Sequence, residues 1–167
     1  MKKNDYLSNL SWVMSKSHIL EEERIIDPCE FVNKLKKLRK DKFSGYLRIF
    51  FPKKSINRDV WIIFKEGRAL SVFYSDAGGL VGDIAGEKLV EDVKEEFEFI
   101  VYDPEEANFK TTLSFIQRNG SLKTECKKFF ERLIGAFEID RKTLMKKYRL
   151  KDPDEQFIDK ILEEAMR

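Results

Sequence analysis

Apolar residues recur along this chain at two spacings, and each change of spacing marks an element. Phe31, Leu35 and Leu38 stand at i, i+4 and i+7, with Lys36, Lys37 and Lys40 on the opposite side. That is the stripe of an amphipathic helix. Asp27 is its N-cap candidate, Pro28 fills the first helical position and Glu30 suits the positive end of the dipole, so the helix starts at residue 27 and ends near Asp41. After Ser44-Gly45 the period drops to two. Leu47, Ile49 and Phe51 share one face of a strand over 46–51, and Tyr46, Arg48 and Phe50 share the other. Residues 59–65 are β-branched and aromatic almost throughout, as in a strand covered on both faces. Glu66-Gly67 reads as a two-residue hairpin loop, and 68–75 returns as a third strand. Links this short require an antiparallel meander.

Beyond Ser75–Gly79 the helical period resumes from Leu80 to Glu95, with Val81, Ile84, Ala85, Leu89 and Val93 as the expected inner face. Gly82 and Gly86 weaken this helix by about 1 kcal/mol each relative to alanine and point to close packing on the sheet. Phe97, Phe99 and Val101 make a fourth strand, and Asp103-Pro104-Glu105-Glu106 opens a helix toward Ile116. From Asn119-Gly120 onward the pattern is helical only, with segments around 122–137, 140–148 and 152–162. The expected fold is therefore α+β. An antiparallel meander of about four strands is flanked by helices over 1–118, and a helical tail follows over 119–167. Residues 1–26 are expected to fray at their start, while Ile19, Leu20, Ile25 and Ile26 dock on the body.

Composition narrows the class. Charged residues make up 37% of the chain, which excludes a membrane-embedded protein, and hydrophobic residues make up 42%, which excludes full disorder. The longest apolar run, Val60 to Phe64, falls far short of the ~20 residues of a membrane span, and the N-terminus has no secretory pattern. Two distant cysteines, Cys29 and Cys126, read as reduced thiols in a soluble cytoplasmic protein. The net charge of +2 conceals segregation: residues 34–68 hold twelve Lys/Arg against three Asp/Glu, and 76–106 hold two against eleven. Either these segments meet in the fold, or they form opposed surface regions that steer a charged partner.

Catalytic signatures fail on chemistry. The run Ala77-Gly78-Gly79-Leu80-Val81-Gly82 through Gly86-Glu87-Lys88-Leu89 lacks the Gly-Lys-Ser/Thr entry that a phosphate loop needs, and its acidic residues repel phosphate. His18 is the only histidine, in a segment expected to be weakly ordered, and reads as a surface residue. Glu91, Asp92, Glu95 and Glu96 read as the solvated face of a helix and its exit. No metal and no cofactor are expected.

Three stretches carry a family resemblance: Phe43-Ser44-Gly45-Tyr46-Leu47-Arg48-Ile49, Trp61-Ile62-Ile63-Phe64-Lys65-Glu66-Gly67-Arg68-Ala69-Leu70, and Gly86-Glu87-Lys88-Leu89 leading to Phe97-Glu98-Phe99. Over about residues 43–102 this order resembles a PATAN-type domain, and the whole chain resembles archaeal proteins of unassigned function. The resemblance implies a non-catalytic protein-interaction module without a cofactor. The insertion 75–83 and the helical tail depart from it.

The expectation is thus a non-enzymatic interaction or regulatory adaptor module. Tyr46, Arg48, Lys65, Arg68 and Phe73 would surround the binding surface if the outer sheet face is open. A homodimer through a sheet face or the tail helices would explain a strand apolar on both sides. The competing expectation is nucleic-acid binding by the basic 34–68 region, through Lys34, Lys36, Lys37, Lys40, Arg48 and Arg58.

Overall fold

A computed structural model describes residues 3–25, 27–52, 58–75, 79–123 and 132, all within the first of two compact units, Met1–Leu133. The tail helices expected beyond residue 123 lie outside the described residues, as does Ile26. The elements run α1 (Lys3–Met14), β1 (His18–Ile25), α2 (Pro28–Lys40), β2 (Gly45–Phe51), β3 (Arg58–Lys65), β4 (Arg68–Tyr74), α3 (Gly82–Asp92), β5 (Phe97–Asp103) and α4 (Glu106–Arg118). A 3-10 turn, Gly120–Leu122, follows.

The fold class is α+β as expected, but the sheet has five strands, in the order β1-β5-β2-β3-β4, with every pairing antiparallel. The meander β2–β3–β4 is present with its hairpin at Glu66-Gly67, where both residues have positive φ (51° and 80°). A Cβ on Gly67 would also sit 2.6 Å from the Arg39 carbonyl oxygen, so the turn can press against the end of α2 only without a side chain. The additional strand is β1. It lies in the N-terminal region, where Lys3–Met14 form a helix and His18–Ile25 an edge strand, elements the sequence pattern does not predict.

Val60 to Phe64 are all fully buried, which requires cover on both faces of the sheet. One face carries Tyr46, Trp61, Ile63, Phe73 and Tyr102, and packs with Leu7 and Met14 of α1, Ile116 of α4 and Leu122 of the 3-10 turn. On the other, Phe31 of α2 meets Phe97 and Phe99 edge-on at 5.1 and 6.1 Å between ring centroids. Asp27 caps α2 as expected, its Oδ1 accepting from the Cys29 amide at 2.9 Å. α3 lies nearest β4 and buries Gly82, Ala85, Gly86 and Leu89, with Val93 just beyond its end. Ile84, expected on that inner face, is exposed instead. The buried stripe follows the glycines, because Gly82 takes φ +66° and a Cβ there would meet the Ser121 carbonyl oxygen at 2.6 Å. With both faces of β3 covered inside one chain, the apolar character of 59–65 no longer calls for a second subunit.

Hydrogen bonds tie α1, α4 and the 3-10 turn to the sheet. Tyr46 Oη donates to Thr112 Oγ1 of α4 at 2.8 Å, Trp61 Nε1 to Ser11 Oγ of α1 at 2.8 Å, and Ser71 Oγ to the Leu122 carbonyl at 2.7 Å. α3 is tied by an ion pair. Asp92, 1% exposed, pairs with Arg58 of β3, accepts from Tyr74 Oη at 2.7 Å and lies 3.5 Å from Lys88 Nζ. This corrects its expected place on a solvated face: Arg58 and Tyr74 come from β3 and β4, beyond the reach of any local pattern. Among the described residues, every buried side-chain nitrogen and oxygen has a hydrogen-bond partner.

Asp92→Ala removes the carboxylate on which these groups converge and should cost about 2–4 kcal/mol in urea denaturation, with Asp92→Asn losing less because it keeps an acceptor for Tyr74. A loss below about 0.5 kcal/mol would show that the cluster does not anchor α3.

Candidate interaction surface

The five residues expected to form a surface do not come together. Tyr46 and Phe73 are buried in the core beneath α1 and α4, because the sheet face that bears them is covered. The Tyr46 hydroxyl is pushed above its ordinary pKa by burial, against the opposing effect of its hydrogen bond with Thr112. Arg48 is committed inside the chain. Its Nε and Nη2 donate to Asp59 Oδ1 and Oδ2 at 2.6 and 2.9 Å, and its guanidinium stands 5.1 Å from the Trp61 ring centre. Burial pulls the Arg48 pKa down, but the Asp59 hydrogen bonds and charge outweigh it and leave the pKa raised. Lys65 and Arg68 are exposed and directly paired at the tip of the β3–β4 hairpin. Lys65 also borders an open groove of about 400 Å³ with Leu70, Leu113, Ile116, Gln117 and Lys123.

The cations proposed for nucleic acid divide as well. Lys34, Arg48 and Arg58 are paired with carboxylates of this chain, whereas Lys36, Lys37 and Lys40 are exposed on the outer side of α2.

Exposed apolar side chains gather elsewhere. Five large ones are exposed among the described residues: Trp12 (64%), Val13, Ile19, Leu20 (54%) and Ile84. Four of these flank the Ser15–Ser17 turn between α1 and β1. Ile19 and Leu20 were expected to dock, but only Ile25 at the far end of β1 is buried. Pairing with β5 explains the difference. A register shift between Ile19 and Glu21 inserts Leu20 as an extra residue in the ladder, and a bulge of this kind re-aims the side chain. Leu20 lines a recess of about 270 Å³ under α2, with Leu38, Phe43, Phe99 and Val101 as apolar walls and Lys34, Lys37, Glu21 and Asp41 at its margin. On α1, Lys16 stands over the Trp12 ring at 4.8 Å.

The two edges of the sheet differ. β4 is capped by bridges from Phe73 to Val81 and from Ser71 to Lys123, and the Tyr74 amide donates to the Leu80 carbonyl at 2.8 Å. Among the described residues β1 pairs only with β5. Its outer edge carries the run Glu21-Glu22-Glu23, a common guard against strand addition. Lys34 pairs with both Glu21 and Glu23, the latter at 2.6 Å, and its ammonium is 5.7 Å from the Phe99 ring centre. Burial lowers the Lys34 pKa, but these carboxylates outweigh it and the pKa is raised. The Lys34 hydrogen bond holds the Glu23 carboxyl below its ordinary value, helped by a hydrogen bond with Glu30. Glu30 moves the other way, raised first by that shared hydrogen bond with Glu23 and then by desolvation and repulsion.

A family model described as "Uncharacterized protein conserved in archaea (DUF2226)" matches residues 12–115, more than half of the chain. The chain belongs to this family. The matched region starts at Trp12, so it takes in the exposed corner, all five strands and both helices on the α2/α3 face. No curated protein and no solved structure matches the chain.

Because Trp12 and Leu20 are exposed, Trp12→Ser and Leu20→Ser should each shift stability by less than about 0.5 kcal/mol, whereas Leu7→Ala, fully buried on the same helix as Trp12, should cost about 2–5 kcal/mol. Thermal or urea unfolding separates the cases, and a large loss at Leu20 would mean that it is packed.

The carboxyl pair makes a pH prediction. Glu23, with its pKa lowered, favours the fold above the ordinary carboxylate range and loses that contribution as pH falls through the lowered value; Glu30, raised, does the reverse as pH rises through its own. Lys34→Met should move the Glu23 midpoint upward in a carboxyl NMR titration. An unmoved midpoint would show that Lys34 does not hold it.

Proposed function

We propose that this chain is a non-catalytic protein-interaction module of the regulatory-adaptor kind. One observation carries the reading: among the described residues, four of the five exposed large apolar side chains lie between positions 12 and 20, beside a sheet edge that no described strand occupies. Exposed apolar residues concentrated in one place favour association with another protein over solvent. The ionisable groups drawn into the sheet support the same reading, because partly buried Arg48 and Asp59, and Arg58 with buried Asp92, are consumed in pairs that hold the fold together. The PATAN-like order of motifs over 43–102 in the sequence points the same way. A cytoplasmic setting fits Cys29, a cysteine exposed at the surface.

Nucleic-acid binding is the second reading, favoured by Lys36, Lys37 and Lys40 on the outer side of α2. Affinity capture from the native cell separates the two. The wild-type chain should retain a defined protein, and Trp12→Asp with Leu20→Asp should reduce that retention at least tenfold without loss of fold. Identical retention by the variant, or retention abolished by nuclease, would overturn the interaction reading in this form.

A further inference from the structure

We propose that the outer edge of β1 accepts an extended segment of a partner protein as a sixth strand, with basic residues opposite Glu21–Glu23 and apolar residues opposite Ile19 and Leu20. This rests on the interaction-module reading and names the chemistry of the partner.

Backbone supplies the first reason. An edge strand presents a row of N–H and C=O groups with no neighbouring strand, and added strands gain affinity by pairing with them. Here the opposite edge is occupied by Val81 and Lys123, so β1 is the edge at which the described sheet can grow.

Charge supplies the second. Glu21 and Glu23 point to the α2 side of the sheet, as do their partners Val101 and Phe99, and Glu30 of α2 joins them through Glu23. Glu21 and Glu23 share the ammonium of Lys34, which leaves one of the two charges unbalanced. Glu22 is exposed on the opposite face, where Arg24 is already paired with Glu96. A second copy of this chain is therefore a poor occupant. Two-fold antiparallel pairing brings residues of one face opposite each other, so any register centred on Glu21, Glu22 or Glu23 sets glutamate against its own copy. A basic segment turns the same run into opposite-charge pairs.

Shape supplies the third. The charged run ends at the bulge, and there Leu20 borders the recess walled by Leu38, Phe43, Phe99 and Val101, while exposed Ile19 points to the α1 side. The incoming strand thus meets carboxylates along one half and apolar surface along the other.

The test uses the full chain and three labelled peptides of eight residues, the length of β1. One has a lysine-rich half and a valine/isoleucine half, the second carries glutamate for each lysine, and the third is the first with a central proline. Fluorescence anisotropy should show the lysine peptide binding at least tenfold more tightly than either control. Hydrogen exchange should slow at β1 amides in the complex and leave β4 unchanged. Glu22→Lys should weaken the lysine peptide at least threefold and strengthen the glutamate peptide. Equal binding of all three peptides, no binding of the lysine peptide, or binding without protection of β1 would each overturn the proposal. If the native partner is still retained by Glu22→Lys in the capture experiment, this edge is not the site although the interaction-module reading stands; if wild type retains no partner, the wider reading fails as well.

Discussion

A strand with five successive side chains removed from water cannot be satisfied by one covering layer, and the rest of this architecture answers that constraint. β3 places Val60, Ile62 and Phe64 on one face and Trp61 and Ile63 on the other, all fully buried. Helices must therefore lie on both sides of the sheet, and each must be fixed in place by something less interchangeable than apolar contact. The fixing groups are polar. Trp61 is too large to bury with its N–H unsatisfied, and Ser11 of α1 supplies the acceptor. Asp59 receives Arg48, Ser75 and, at 3.4 Å, Ser11, so the same small network joins β2, β3, α1 and the end of β4. On the far side the Asp92 cluster plays the corresponding part for α3. Such pairs give little net stability compared with an apolar replacement, but they specify which helix packs where.

This also explains where the segregated charge goes. The basic stretch 34–68 and the acidic stretch 76–106 do meet, through Arg58 and Asp92. Yet Arg48 is neutralised within the basic stretch by Asp59, and Lys34 by glutamates of β1. Segregation along the sequence is therefore only partly a property of the surface. Among the described residues, a basic outer side of α2 and an acidic run on β1 remain outside, close together and of opposite sign, as do exposed carboxylates of 83–106.

The parts of the fold legible in the sequence are those in which local pattern and tertiary role agree. α2 has its cap, its proline and its stripe, and the β2–β3–β4 meander has alternation and a Glu-Gly turn. α1 and β1 were not legible because their local pattern argues against them. Serines interrupt the apolar positions of α1, and one of them, Ser11, is there for Trp61, a residue 50 positions later. β1 contains three consecutive glutamates, which depress strand propensity but are tolerated on an edge. Ile84 and Asp92 were assigned to the wrong sides of α3 for a related reason. Periodicity locates an apolar stripe, but the close approach allowed by Gly82 and the burial of Gly86 decide how the helix is rotated. The candidate surface was the least legible feature: Tyr46 and Phe73 read as possible contacts only while the helices that bury them were unknown.

The two edges of this sheet are closed by different physics, and that difference bears on function. At β4 the closure is steric. Backbone from either side of α3 and α4 already occupies the hydrogen-bonding positions, so a new strand would have to displace Val81 and Lys123 whatever its composition. At β1 the described closure is electrostatic, and an electrostatic guard discriminates among strands. It repels acidic strands and copies of itself, weakens as salt screens it, and becomes attraction for a strand of opposite charge. The exposed residues from Trp12 to Leu20 would be a liability beside an edge with no guard, because they invite unselective association. Beside one that rejects like charge, they add affinity only for a strand that the glutamates have already admitted.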